Sequence, residues 1–402
     1  MRILNICAYT WSIGGPPKII YDHTQVALQE GHQVDILSPI SPGDKPYPVP
    51  EGARVIFCQR TPGVSRVFRE FSVELYQYLQ KHIHEYDVIH CHGIWHWGSL
   101  APFLIDRRVP KVITIHGLLD RWTIRQKYWK KWIMGVLAQK AFLRRADLIH
   151  INNTDEKEDL VRYLGYQHLN VQIIPNGIRM SDFATLPPQG TFQQKFALPA
   201  DKKIVLFMSR LNNKKGLDLL LPAFQQYARQ HDDALLVLAG PDDGYEQTAR
   251  EFIRQHGLSN RIRMVGMLTG DDKKAALADA TMFALPSYSE GFSMACLEAL
   301  AAGTPALLSD RVGFGEALRE HRAARLVDLN VDGVIQGLTE LLQDEELRQQ
   351  IRLNALNLLR SRYEIEVVAK QMLAAYEQIL PGQASPSPVR PPEPVTRKSD
   401  PA

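Results

Sequence analysis

The sequence has few cysteines, little net charge and no long apolar run. A membrane-spanning helix needs about 20 mostly apolar residues, so we expect no transmembrane segment. Residues 2–7 contain no basic leader followed by a cleavage site, and we therefore expect no signal peptide. The four cysteines lie far apart without CxxC or zinc-finger spacing. This pattern favours reduced thiols and predicts a cytoplasmic protein.

Positive charge is concentrated in residues 121–145, which carry eight lysines and arginines and no aspartate or glutamate. The net charge of the whole chain is only +3, which argues against a general nucleic-acid binder. Three tryptophans lie within the basic run, a mixture typical of helices that rest on an anionic membrane. A surface helix whose tryptophans face its own core explains the pattern equally well. Peripheral contact with the inner face of a membrane therefore stays one of two alternatives.

Short apolar, β-branched runs alternate with runs of helical periodicity along most of the chain. Such alternation predicts βα units around parallel sheets. The predicted strands are 3–9, 34–38, 55–58, 88–92, 112–116, 148–152, 171–174, 204–208, 235–239, 262–265, 282–285, 306–309 and 325–327.

The 402 residues are enough for two or three domains of about 150 residues each. We predict a first doubly wound domain at 1–180, a linker at 181–200 and a second doubly wound domain at 201–365. The helical stretch 366–380 closes the folded part. The tail 381–402 is rich in proline and poor in apolar residues, which predicts disorder.

The strongest candidate motif runs from Ser289 to Pro305, directly after a predicted strand. Glu290 lies in a loop, and Glu298 lies on the helix that follows and ends at Gly303. Carboxylates accept hydrogen bonds from sugar hydroxyls, and the free amides at a helix start bind phosphate. Alternatively, Glu290 only caps the helix and Glu298 lies on its solvated face. Residue chemistry alone leaves both interpretations open, and the apolar neighbours of Glu298 raise a buried, occupied carboxylate as the more informative alternative to a solvated one.

A second candidate is the turn 209–216, which contains Arg210 and Lys215 and follows the first predicted strand of the second half. Two cations beyond a strand can neutralise a diphosphate and stabilise its charge as it leaves. A basic turn on its own is usually a solvated surface. Its position ahead of the glutamate pair favours a binding role.

Glu290 and Glu298 form a Glu-x7-Glu pair, and their segment resembles the signature of the retaining GT-B glycosyltransferases of family 4. The segment from Arg210 to Gly216 resembles the family's Arg-Leu-x3-Lys-Gly motif. The similarity spans about residues 1–380. It implies an α/β protein of the GT-B fold, in which two Rossmann-like doubly wound domains face a central cleft. It also implies that the closing helix crosses back to the first domain.

The resemblance implies a role for each motif residue. The first glutamate of the family pair contacts the donor sugar and the second holds the nucleotide ribose, which carries over to Glu290 and Glu298. Arg210 and Lys215 inherit the diphosphate. The helix start assists them, and the residues concerned are Gly291, Phe292 and Ser293.

Two positions in the first half also match the family. His116 follows a predicted strand, and its family counterpart faces the donor sugar; without that context a buried core histidine is the default interpretation. Gly14 and Gly15 correspond to the family's glycine loop, where a backbone without side chains leaves room for the transferred sugar. Here Pro16 and Pro17 follow the glycines, which departs from the commoner pattern and stiffens the loop.

The predicted function is transfer of a hexose from a nucleotide diphosphate sugar to a glycan or lipid-linked acceptor. The family implies retention of anomeric configuration and a setting in cell-surface polysaccharide or lipopolysaccharide biosynthesis. The nucleotide sugar is a substrate, and we expect neither a cofactor nor a metal. Two other classes stay open: a GT-B nucleotide-sugar epimerase and a non-catalytic binding protein.

His90, Cys91 and His92 look like metal ligands in sequence. Alternation along a strand places the cysteine on the face opposite the two histidines, and no carboxylate is near in sequence. We therefore expect this segment to form a wall of the cleft or of the acceptor site. Asp242 and Asp243 follow Gly240 and Pro241 in a loop and likewise predict no metal site.

Overall fold

The computed structural model describes residues 1–12, 14–67, 70–120, 124 and 138–381. Most of the basic run 121–145 and all but the first residue of the predicted tail lie outside this range. Within the described residues, the backbone forms one seven-stranded and one six-stranded sheet, and both are parallel.

All thirteen predicted strands are present among the described residues, with ends within two residues of the prediction. They are β1 Arg2–Cys7, β2 Gln33–Ile40, β3 Arg54–Gln59, β4 Val88–His92, β5 Lys111–Thr114, β6 Leu148–Ile151, β7 Val171–Ile173, β8 Lys203–Met208, β9 Ala234–Ala239, β10 Ile262–Gly266, β11 Ala280–Leu285, β12 Ala306–Ser309 and β13 Arg325–Val327.

The helices lie mostly between consecutive strands, as βα units require. In the described residues they are α1 Gly15–Gln29, α2 Val64–Val67, α3 Val73–His82, α4 Trp97–Leu100, α5 Pro102–Ile105, α6 Lys140–Arg145, α7 Thr154–Leu164, α8 Thr191–Lys195, α9 Leu217–Gln230, α10 Glu246–Gln255, α11 Gly270–Asp279, α12 Met294–Ala301, α13 Gly315–Glu320, α14 Val331–Gln343, α15 Glu345–Leu358 and α16 Ile365–Glu377.

The two sheets share one central topology. Their orders are β3-β2-β1-β4-β5-β6-β7 and β10-β9-β8-β11-β12-β13. The chain reverses its direction of winding between β1 and β4 in the first sheet and between β8 and β11 in the second. Loops on the two sides of such a switch point leave a crevice at the carboxyl ends of the strands, where ligands bind. In the second sheet the crevice lies between the loops after β8 and β11.

Central strands such as β4, β5, β9 and β12 are buried along their whole length, because helices cover both faces of each sheet. Helix α16 supplies part of the cover of the first sheet. Val368 and Met372 of this helix pack with Ile3, Val88 and Val112 of the first domain. The last described helix therefore belongs to the core of the first domain.

The segment 181–200, predicted as a linker, is packed against the second domain. Phe192, at the start of α8, is 1% exposed and lies in the same core as β8 and β11. Asp279 holds this segment, since its carboxylate accepts hydrogen bonds from the backbone N–H groups of Gly190 and Phe192 at 2.6 and 2.9 Å. The connection between the domains is thus anchored at its second half.

Candidate functional site

A cavity of about 750 Å³ lies between the two sheets, with residues from both domains in its wall. It contains most of the residues that the sequence analysis singled out. Those that line it are Gly14, Gly15, His116, Arg210, Lys215, Glu290, Gly291 and Phe292. The loops that follow parallel strands bring these distant residues to one place, as expected for ligand sites at the carboxyl ends of strands.

Lys215 and Glu290 form an ion pair in the wall of this cavity. Lys215 ends the short turn after β8, and Glu290 lies in the loop after β11. The two strands are neighbours, so their loops meet at the switch point. Both side chains are nearly buried, at 10% and 11% exposed, and each provides the other's countercharge. The site therefore holds a cation and an anion side by side in a poorly hydrated place.

Glycines allow the loops around this pair to approach one another. Gly216 has a φ of 73°, and a Cβ atom there would overlap the carbonyl oxygen of Pro286. A Cβ atom on Gly313 would overlap the carbonyl oxygen of Gly291. Only glycine fits these two positions without moving the backbone that carries Lys215 and Glu290.

Arg210 lies at the edge of the cavity and is 61% exposed. Its Nη1 donates to the Asp243 carboxylate at 2.7 Å. Asp242 accepts three backbone N–H bonds from residues 244–246. The Asp242–Asp243 loop thus caps a helix start and holds an arginine. Among the described residues no group of three or more potential ligand side chains is placed to hold a metal ion.

Two predicted donor residues, Ser293 and Glu298, do not line the cavity. Ser293 is the N-cap of α12 and accepts from the backbone N–H of Cys296 at 3.4 Å. Glu298 is 8% exposed and accepts a hydrogen bond from Lys273 at 2.6 Å. Of the two interpretations of Glu298, a solvated helix face does not agree with this burial. Glu298 is a buried carboxylate with a cationic partner.

His116 lies two residues beyond β5, where the backbone turns into the cavity. Its φ is 53° and that of Gly117 is 70°, so two consecutive residues adopt the left-handed conformation. The Glu156 carboxylate lies beside the backbone of Gly117 in this turn. The Glu156 carboxylate also accepts from the backbone N–H of Asn152 at 3.0 Å. Burial raises the pKa of Glu156 above its ordinary value.

Three buried histidines, His90, His92 and His150, lie beneath His116. We call these four residues the histidine cluster. The rings of His90 and His92 stack at 3.9 Å on one face of β4, whereas Cys91 faces the opposite core. This is the arrangement that strand alternation predicts. Burial lowers the pKa of His116 to about 3 and that of His150 to about 4, and also places those of His90 and His92 well below the ordinary value. The cluster is neutral at pH 7.

The donor and the acceptor can be assigned for each hydrogen bond that joins His90 to His150 within the cluster. His150 Nε2 lies 2.8 Å from the carbonyl oxygen of Ile174, which can only accept. His150 Nδ1 must then accept from Thr114 Oγ1 at 2.7 Å, and Thr114 in turn accepts from His90 Nε2 at 2.6 Å. His90 Nδ1 is left to accept from the Tyr376 hydroxyl at 2.5 Å. This Tyr376–Ile174 chain joins α16 to the residue that follows β7.

Three contacts around the cavity were not anticipated from the sequence. Asn153, the N-cap of α7, donates a side-chain hydrogen bond to the carbonyl oxygen of Gly291 in the other domain. Asp120 and Lys214 approach to 3.7 Å across the same gap. Glu156 lies beside Gly117 in the His116 turn. The pattern Asn153-x-x-Glu156 is a capping-box signature that could have located the start of α7.

The described part of the basic run is engaged within the protein. Lys140 lies over the ring of Tyr163 at 5.1 Å, and Arg144 lies over that of Tyr166 at 5.5 Å. Arg145 donates to the carbonyl oxygen of Phe103 at 3.4 Å. Most of the run lies outside the described residues, so the membrane alternative stays a prediction. None of the described helices has both the length and the apolar character that crossing a bilayer demands.

Comparison with known families decides the class of the protein. The profile described as Glycosyltransferase Family 4 matches residues 13–182, and that described as Glycosyl transferases group 1 matches residues 188–357. This chain belongs to the family 4 glycosyltransferases. The family 4 chain is 27% identical over 400 residues to a phosphatidyl-myo-inositol mannosyltransferase of Mycobacterium leprae. That alignment covers 94% of this chain and 97% of the relative.

Solved structures share the fold of this glycosyltransferase. Sucrose-phosphate synthase from Thermosynechococcus elongatus superposes with a TM-score of 0.76 at 20% identity, covering 94% of this chain and 99% of that one. The Anabaena protein HepE in complex with UDP and glucose gives a TM-score of 0.74 at 18% identity, covering 94% and 100%. The enzyme therefore has the GT-B fold, with two Rossmann-like domains and parallel sheets.

Proposed function

We propose that this glycosyltransferase moves a hexose from a nucleotide diphosphate sugar to a glycan or lipid-linked acceptor, with retention of anomeric configuration. The observation that carries the proposal is the nearly buried Lys215–Glu290 pair in a cavity shared by both domains. An ammonium group in this position suits a diphosphate, and a carboxylate beside it suits sugar hydroxyls.

In the proposed reaction the bond between the sugar's anomeric carbon and the diphosphate oxygen breaks. The diphosphate keeps the electron pair, and Lys215 and Arg210 stabilise the charge that develops on it. The acceptor hydroxyl forms the new bond to the anomeric carbon and passes its proton to the departing diphosphate oxygen. Arg210 must exchange its Asp243 partner for phosphate, which its 61% exposure allows. No metal or cofactor takes part in this proposal.

The start of α12 is the proposed binding site for the nucleotide part of the donor. Gly291 and Phe292 line the cavity, and their backbone precedes the helix N-terminus, where a phosphate is stabilised by free N–H groups and the helix dipole. Ser293 contributes as the N-cap that fixes the helix start. For Glu298 to bind the ribose, the ribose hydroxyls would replace the Lys273 ammonium as its partner.

The first domain supplies the proposed acceptor side. Gly14 and Gly15 line the cavity at the start of α1, and a Cβ atom on either would meet nothing within 4 Å. That open space next to the Lys215–Glu290 pair leaves room for the transferred sugar. Polar groups continue along the same wall, among them Thr10, Ser12 and Glu70. The name of the Mycobacterium leprae relative, which specifies a phosphatidyl-myo-inositol mannosyltransferase, supports a lipid-linked acceptor.

A thermal-shift screen of UDP-, GDP- and ADP-sugars, followed by transfer assays with the one that binds, tests the proposal. We expect one nucleotide sugar to raise Tm and to be consumed only when an acceptor is present. Isomerised sugar formed from the donor alone would instead identify an epimerase. If none of the three nucleotide classes shifts Tm, the binding proposal is wrong.

A further inference from the structure

His92 lies directly behind His116 in the wall of the cleft. Their rings are 5.6 Å apart and inclined by only 25°, and His116 Nε2 lies 3.4 Å from His92 Nδ1. His92 is 5% exposed and does not line the cavity, whereas His116 does. A ligand in the cavity can therefore touch His116, and His92 acts on that ligand only through His116.

The partner of His92 on its other side decides where the ring protons lie. His92 Nε2 is 3.3 Å from Asn5 Oδ1, and an amide oxygen can only accept. His92 therefore carries its proton on Nε2, which leaves Nδ1 with a lone pair. That lone pair accepts from His116 Nε2. The Asn5 amide is oriented by its own nitrogen, which donates to Thr24 Oγ1 at 3.5 Å.

Both rings are neutral at physiological pH, because burial lowers their pKa values and the neighbouring histidines, His23 and His150, add to the effect on His116. A neutral imidazole has one N–H group and one lone pair. Since His116 uses its N–H group towards His92, its Nδ1 atom holds the lone pair. The contact of its Nε2 atom with His92 and the near-parallel packing of the two rings set the direction of the His116 ring.

We propose that His92 is a positioning residue that holds His116 in the Nε2–H tautomer, so that His116 Nδ1 accepts a hydrogen bond from a hydroxyl group of the bound sugar. The inference rests on the proposed function for the identity of that ligand. The tautomer of His116 does not depend on the proposed function, because the Asn5–His92–His116 contacts determine it.

The experiment compares two substitutions of His92. His92→Leu removes the acceptor for His116 Nε2. His92→Asn keeps one, because the asparagine Oδ1 atom takes nearly the position of the histidine Nδ1 atom. His84→Gln, an exposed position in the same domain, is the control. Protein labelled with ¹⁵N-histidine reports the protonation of each ring nitrogen by NMR, and the signals of His116 are identified by their loss in His116→Gln.

We expect wild-type His116 to show a protonated Nε2 and an unprotonated Nδ1, and His92→Leu to lose this single state. His92→Asn and His84→Gln should keep it. In transfer assays, His92→Leu should lower kcat/KM for the nucleotide sugar about tenfold, with the Kd of the free nucleoside diphosphate unchanged, and His92→Asn should recover most of the loss.

A protonated Nδ1 in wild-type His116, or an unchanged tautomer in His92→Leu, would overturn the inference. An equal loss of affinity for the free nucleoside diphosphate would also overturn it, because general damage to the fold would then explain the kinetics. If the protein transfers no sugar, the NMR result still decides whether His92 sets the tautomer, and only the proposed function fails.

Discussion

The two domains face the cleft with different chemistry, although their sheets have the same central topology. The second domain presents charged pairs: Lys215 with Glu290 in the cavity and Arg210 with Asp243 at its edge. The first domain presents His116, which belongs to a neutral histidine cluster with oriented hydrogen bonds, together with carboxylates such as Glu70 and Asp120. Fixed charge stabilises an anion such as a diphosphate, whereas neutral donors and acceptors select uncharged hydroxyl groups. One topology thus supports two kinds of recognition across a single cavity.

Loss of the central cation should have the largest effect. We expect Lys215→Ala to lower kcat/KM for transfer by at least about 100-fold, as removal of a key stabilising donor does in other enzymes. Tm should also fall, because the nearly buried Glu290 carboxylate loses its countercharge. The double variant K215A/E290Q should recover Tm without recovering activity. Lys81→Ala, which removes an exposed lysine that does not line the cavity, should change neither. Wild-type turnover in Lys215→Ala would remove the ion pair from the mechanism.

The neutral state of the histidine cluster can be tested by measuring how the stability of the protein depends on pH. Burial lowers the pKa of His150 to about 4, so the unfolded chain binds a proton before the folded one does as pH falls below about 6.5. Stability should therefore be complete above that pH and decrease towards pH 4, by about 1.4 kcal/mol per pH unit for each such histidine. Unfolding in urea between pH 7 and pH 5 measures the slope.

Two histidine variants serve as a matched pair for the acid experiment. His150→Gln should make the slope of stability with pH shallower. His84→Gln, at an exposed position of the first domain, should leave the slope as in wild type. Equal slopes for all three proteins would show that the buried cluster does not control acid stability.

The smallest effect concerns the link between the cluster and α16. Tyr376→Phe removes the hydroxyl that donates to His90 Nδ1 at 2.5 Å. We expect a loss of about 1 kcal/mol and a fall in Tm of about 3 °C, since a buried acceptor is left without its partner. Tyr288→Phe deletes a hydroxyl whose bond to Asp218 is exposed, and should lower Tm less. A larger shift for Tyr288→Phe would contradict the importance given to the Tyr376–Ile174 chain.

Much of the architecture could be predicted from the sequence, because fully buried parallel strands require continuous β-branched and apolar runs. Strands β8 and β9, which are almost wholly apolar, lie within one residue of the predicted bounds for this reason. The meeting of Lys215 and Glu290 was also within reach, since both follow strands and a parallel sheet collects such loops at one edge. The partner of Glu298 could not be predicted, because Lys273 is remote in sequence and is brought near only by the packing of α11 against the second sheet.

Contacts between the domains were equally out of reach. The hydrogen bond from Asn153 to Gly291 depends on how closely the two domains approach, which no local pattern encodes. The direction of hydrogen bonds in the histidine cluster depends on Asn5, Thr114 and Tyr376, which lie on three separate elements. The sequence indicated only that His90 and His92 share one face of a strand.

The position of α16 has a consequence for how the protein is made. Residues 365–377 are synthesised after all thirteen strands described above, yet Val368, Met372 and Tyr376 cover apolar and histidine side chains of the strands that emerged first. A domain normally folds as soon as its own chain has left the ribosome. Here the N-terminal domain waits for the whole second domain to be synthesised before its own last contact can form, so a nascent chain that stops short of α16 leaves Val88 and Val112 uncovered.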